Sequence, residues 1–232
     1  VTDLRSYAWS SPERFLAHEV VHHPQSGRVH IELANWYLLN KDYLSAFAEL
    51  DYAQMLEPYN AGIALHKILI FCHGKSVPPE LYQEASVKVK QGAITPYVIL
   101  VLDQMVQNMF NQNCKAINKE QLRLIIQEAS KNPFLWYKPM YKSVLYHLDG
   151  GLALLQQNVD QSRYLLNESF KIYPKRIDPL IQKAYLELQS GKLNQAQETI
   201  DEINTQLKGK LPDKVVKLLK ARDEMKSSRQ SK

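Results

Sequence analysis

The stretch Gly27 to Tyr59, GRVHIELANWYLLNKDYLSAFAELDYAQMLEPY, decides how the rest of the chain is read. It holds two helical patterns that meet at Asn40-Lys41-Asp42. Small residues fall where two crossing helices need their backbones close: Ala34 in the first pattern, Ala46 and Ala53 in the second. Leu33, Tyr37, Tyr43 and Leu50 supply bulk between them. Pro58 closes the unit, because proline cannot continue a helix. A helical hairpin of this size cannot bury its apolar face alone, so copies of it are expected to follow.

Copies return near the other end of the chain. In Ser143 to Arg176, Gly150 precedes Ser162 by twelve residues, as Ala34 precedes Ala46. Val159, Leu166, Ser169 and Pro174 then match Tyr43, Leu50, Ala53 and Pro58 in spacing. Ile177 to Lys210 begins 34 residues after Ser143 and keeps the register with Ala184, Leu193, Ala196 and Ile200, placing Gly191 at the turn. It departs at Ile203, which replaces the second small residue, and at Lys208, which replaces the proline.

A 34-residue helix–turn–helix unit with small residues at these positions resembles the tetratricopeptide repeat. The resemblance implies an all-α, right-handed TPR-like α-solenoid of about five helix pairs with terminal capping helices. The organisation expected is a leader and capping helix at 1–26, a repeat at 27–60, degenerate helical repeats at 61–142, two repeats at 143–210, and a capping helix with a basic tail at 211–232. Ser11-Pro12-Glu13 starts the first capping helix with a hydroxyl cap and a proline whose missing N–H does no harm. Val215, Val216, Leu218 and Leu219 are placed on the inner side of the last.

Between the clear units the small-residue signature is missing, although apolar helical patterns of repeat size continue, including Tyr97 to Phe110 and Trp136 to Leu148. Ala34 and Gly150 lie 116 residues apart, three periods and fourteen residues more. The surplus is assigned to 74–79 and 131–142.

Composition excludes several classes. The chain is 45% hydrophobic and 23% charged, with only 8 Gly and 11 Pro, which disfavours an all-β fold rich in tight turns. No run approaches the roughly 18 apolar residues of a membrane span. The net charge of +5 is local: Leu207 to Lys232 carries nine Lys/Arg against three Asp/Glu, and the remainder is close to neutral. That tail has no aromatic residue to stack on bases, so no nucleic-acid partner is expected. Cys72 and Cys114 make no zinc site. Two small buried thiols is the simpler reading, and pairing in an oxidising compartment the alternative.

His18-Glu19-Val20-Val21-His22 spells a zincin-like motif, two histidines at i,i+4 with a glutamate between. Pro24 ends the helix just after it, leaving the second histidine on the last turn, and no third ligand follows at metzincin spacing. A zinc hydrolase is therefore the least favoured reading; no metal, cofactor or catalytic residue is assigned.

In repeats of this kind the first helix of each pair lines the groove. The candidates are Arg28, Ile31, Asn35 and Leu38 in the first unit. In the later ones they are Val144, His147, Gly151 and Leu154, then Asp178, Ile181, Tyr185 and Leu188. Grooves that clamp a C-terminal carboxylate carry several Lys, Arg and Asn, and only Arg28 and Asn35 fit. The mixed, partly apolar lining suits an extended or helical peptide.

Arg5, Trp9, Ser11, Phe15, Glu19, Pro24, Ser26 and Arg28 form a further pattern, R-x3-W-x-S followed by E-x4-P-x-S-x-R. It is similar to the junction after the last membrane span in multi-pass glycosyltransferase-like proteins of the O-mannosyltransferase type, which carry C-terminal tetratricopeptide repeats. The resemblance implies a fragment of a larger polypeptide with a membrane-embedded portion, its repeat domain on the non-cytoplasmic (periplasmic) side, engaging acceptor or partner proteins. The function expected is a non-catalytic protein- or peptide-binding module, either free-standing or as that acceptor-binding domain.

Overall fold

The computed structural model describes residues 10–73, 76–207 and 212–230, and these contain twelve α-helices and no strand. The chain divides into two compact units, Val1–Asn132 and Pro133–Lys232. The leader positions Arg5 and Trp9 lie outside the described residues.

The first unit contains α1 (Pro12–His22), α2 (Gly27–Leu39), α3 (Tyr43–Leu56), α4 (Ala61–Ile70), α5 (Pro79–Gln91), α6 (Pro96–Phe110) and α7 (Lys119–Ser130). The Ser11 hydroxyl accepts from the Arg14 amide and Pro12 opens α1, the two start signals read from sequence. α1 covers α2, α2 pairs with α3, and α4 packs on both α3 and α5. The next two helices stack in kind, α6 on α4 and α7 on α5. The second unit contains α8 (Pro139–Leu155), α9 (Val159–Ile172), α10 (Asp178–Gln189), α11 (Leu193–Gln206) and α12 (Asp213–Gln230). Here α8 pairs with α9, α10 with α11, and α12 closes the end against both α10 and α11.

The repeat register is written into the core. Ala34, Ala46, Ala53, Ser162, Ser169, Ala184 and Ala196 all have zero exposure, as do Leu50, Leu166 and Ile200 at the bulky position between them. Ile203, the departure from pattern, is also fully buried, in a cluster with Val215 and Leu218 of α12. A closing helix rather than another repeat lies over it, so a larger side chain fits. Val216 differs from the expected inward set and is 38% exposed.

The turns repeat as faithfully as the crossings. Lys41 and Gln157 both adopt φ 61°, and Gly191 has φ 71°. Each stands seven residues after the small residue of its first helix. In each turn the positive-φ residue donates its amide to the carbonyl three back, and the next residue donates to the carbonyl five back. Gly191 reaches this left-handed region without steric cost, whereas Lys41 and Gln157 occupy it at some expense.

Gln112, at φ 57°, makes the same two bonds at the end of α6. Counting back seven residues from it places Met105, fully buried, where Ala34 stands in α2. α6 thus keeps the turn and loses the small residue, replaced by a flexible side chain that fills irregular space. The chain then runs through 111–118 before α7 begins. Part of the surplus length sits in this loop, which was not among the segments assigned to hold it. Trp136 and Tyr137, read as helical from the sequence, belong to a 3-10 turn, Pro133–Tyr137, and the helix starts at Pro139.

Cys72 and Cys114 are joined in a disulfide, overturning the reading as two buried thiols. Cys72 lies in the 3-10 turn Phe71–His73 after α4, and Cys114 in the loop after α6. Because α6 stacks on α4, the ends of the two helices are adjacent, and the Cα atoms come within 4.5 Å across 42 residues of sequence.

Candidate functional site

The proposed groove residues of the first unit divide by burial. Arg28 is exposed and Asn35 half-buried, whereas Ile31 is in the core with Ala34, Leu50 and Ile63, and Leu38 packs against that cluster. Arg28 lines a cleft of about 550 Å³ between α1 and α2, together with Phe15, Glu19 and Glu32. Glu32 is a polar residue of this face that the three- and four-residue spacing passed over.

The first helix of the next pair offers nothing to a ligand, since every residue of α4 is buried. Its composition, apolar all round except His66 and Lys67, is that of a fully enclosed helix. Lys67 escapes by reaching Asp51, 2.6 Å away on α3. Tyr97 of α6 lies across Gly62, where any Cβ would collide with its ring, and its hydroxyl is 2.7 Å from His66 Nδ1. Glycine is required there because an aromatic ring covers the helix.

In the second unit His147 and Asp178 are brought together by Arg176, a residue not picked out from the sequence. The Arg176 guanidinium donates to His147 Nδ1 at 3.0 Å and to the Ser143 hydroxyl at 3.4 Å, and it lies 4.0 Å from the Asp178 carboxylate. Lys214 of α12 reaches Asp178 at 3.1 Å. Burial raises the Asp178 carboxyl, but Lys214, Arg176 and His147 outweigh it and hold the group below its ordinary value. Of the rest, Ile181 and Leu188 are core residues, Gly151 is buried, Val144 and Leu154 are half-buried, and Tyr185 is a half-buried ring packed on the core.

Two imidazoles shielded from water, buried His66 and half-buried His147, make stability depend on pH. Burial lowers His66 to about 4, and burial with the neighbouring Arg176 charge lowers His147 to about 4. Both are 6.5 when unfolded. Between these values the unfolded chain binds protons that the folded chain does not, so stability falls as pH drops from about 6.5 toward 4. Thermal melts at pH 7.5 and 5.0 are expected to show this loss. His66→Gln combined with His147→Gln is expected to shrink the difference between the two pH values, and an unchanged difference would refute the assignment.

The zincin-like residues lie together on α1. His18 and His22 do share one side of α1, with ring centroids 4.2 Å apart, and Glu19 lies 3.5 Å from His18. Among the described residues, however, no group of three or more His, Cys, Asp or Glu is placed to hold a metal ion. No described helix is long and apolar enough to cross a membrane.

No protein-family model matches the sequence, and no curated protein matches it significantly. Solved structures do match. Yeast Tom70 aligns with a TM-score of 0.64 at 13% identity, over 95% of this chain and 44% of that one. PilF of Pseudomonas aeruginosa and PilW, a type IV pilus biogenesis factor, each align with a TM-score of 0.49 at 17% identity, covering 87% and 88% of this chain and 87% and 92% of theirs. At these identities the likeness speaks to fold, and the Tom70 alignment carries it. With the repeated spacing of buried small residues and turns, it makes the chain an all-α protein of TPR-like solenoid fold.

Proposed function

We propose that the chain is a protein- or peptide-binding scaffold module, non-catalytic in itself, that takes its ligand along the first helices of its repeats. The observation that carries this reading is the surplus of side chains on those helices beyond what the core uses. On α2 these are Arg28, Glu32 and Asn35; on α8 and α10 they are His147, Asp178 and Tyr185, with Arg176 beside them. Within each unit, charged and polar groups spaced along a helix face suit the backbone and alternate side chains of an extended peptide. Enclosure of α4 removes one repeat from such a surface. Selection from a random twelve-residue peptide library against the full chain tests the proposal. Enriched peptides are expected to bind at least about tenfold more weakly to Asn35→Ala or Tyr185→Ala. Selection that enriches nothing, or peptides indifferent to both substitutions, would overturn it.

The narrower reading, an acceptor-binding domain of a membrane glycosyltransferase-like protein, is supported by the Arg5-to-Arg28 pattern alone. The full open reading frame decides it: eight or more apolar spans upstream of Val1 support it, and a start codon adjacent to Val1 rejects it.

A further inference from the structure

We propose that the turn Pro133–Tyr137 and the first turn of α8 form a docking surface for an anionic lipid bilayer. The turn is fixed rather than loose. Leu135 is buried with 2% exposure, and the Lys138 amide closes the turn on its carbonyl at 3.0 Å. With Leu135 pinned inward, its neighbours are thrown outward: Trp136 is 83% exposed, Phe134 and Tyr137 are each 50% exposed, and Met140 is 43% exposed. Four large apolar side chains within seven residues face solvent, beyond the scattered exposure normal for a surface.

The charge in the local sequence is of one sign. No Asp or Glu occurs from Ala129 to Leu148, while Lys138 and Lys142 fall within the patch. The Lys138 ammonium stands 5.3 Å from the ring centroids of both Tyr137 and Tyr141, and Trp136 meets Tyr137 edge-on at 5.5 Å. The result is a set of exposed aromatic rings with lysines among them. Trp and Tyr rings favour the headgroup layer, where an apolar body and a polar tip are both satisfied. Lysines beside them are drawn to anionic headgroups with their stems lying along the interface. A protein surface could also cover exposed aromatics, but Lys138 and Lys142 among them, in a stretch without Asp or Glu, favour the anionic bilayer.

Co-sedimentation of the full chain with phosphatidylcholine vesicles, with and without 30% phosphatidylglycerol, tests this. The wild type is expected to partition onto the anionic vesicles and hardly onto the neutral ones, with partitioning weakened in 0.5 M salt. Trp136→Ala is expected to partition about tenfold more weakly, and Lys138→Ala combined with Lys142→Ala about fivefold. Trp136 is exposed, so its replacement is expected to leave the circular dichroism and melting temperature unchanged. Equal partitioning of wild type and Trp136→Ala would assign binding to the basic tail and overturn the proposal. So would absent vesicle binding, including the case where the wild type instead self-associates and Trp136→Ala is monomeric.

Discussion

Reducing the Cys72–Cys114 bond is expected to destabilise the chain by about 3–4 kcal/mol, which is about 10 °C or more in melting temperature for a unit of this size. The bond joins positions 42 residues apart, so its loss frees a long loop in the unfolded chain. The folded state gains nothing in return, because stacking of α6 on α4 already holds the two turns together. Melting with and without a phosphine reductant checks the figure. The variant Cys72→Ser with Cys114→Ser should melt like the reduced protein and ignore the reductant. A reductant-insensitive wild type would mean that the thiols are not joined, returning to the reading that cysteine counting favoured.

Truncating the bulky residue of a repeat is expected to cost nearly as much. Leu50→Ala and Leu166→Ala each remove a fully buried side chain from a helix-pair core and should cost about 3 kcal/mol in urea denaturation. Leu44→Ala, 86% exposed, should change stability by less than about 0.5 kcal/mol. The second-unit site permits a sharper check, because Leu166 packs on Gly150: an added Cβ there would lie 3.2 Å from Leu166 Cγ. With Leu166 truncated that space opens, so Gly150→Ala should be better tolerated in the Leu166→Ala background than alone. Strict additivity of the two changes would contradict the packing.

These sites also mark how far the sequence could be read. The register of the outer repeats was legible because a small residue at a helix crossing leaves a pattern twelve and nineteen residues long that few other arrangements produce. That of α6 was not, since the feature it keeps is a backbone turn at Gln112, and φ 57° in a glutamine leaves no trace in composition. The Cys72–Cys114 pairing depended on which turns stack, which is tertiary information. Spacing on α2 and α10 picked out Arg28, Asn35 and Tyr185, which keep some exposure, but could not tell that Ile31 and Ile181 are drawn into the core. Nor could it find Arg176, whose part in the His147–Asp178 cluster depends on a chain reversal after Pro174 that turns its guanidinium back onto α8.

Photocrosslinking is the direct test of binding along the first helices. Asn35 or Tyr185 is replaced by p-benzoylphenylalanine and compared with Tyr52 or Tyr164, exposed positions on the second helices α3 and α9. With library-selected peptides, crosslinks are predicted at position 35 for peptides held by the first unit or at position 185 for peptides held by the second, and not at 52 or 164. Crosslinking at 52 or 164 with none at 35 and 185 would place the ligand on the opposite helices and contradict the proposed mode of binding.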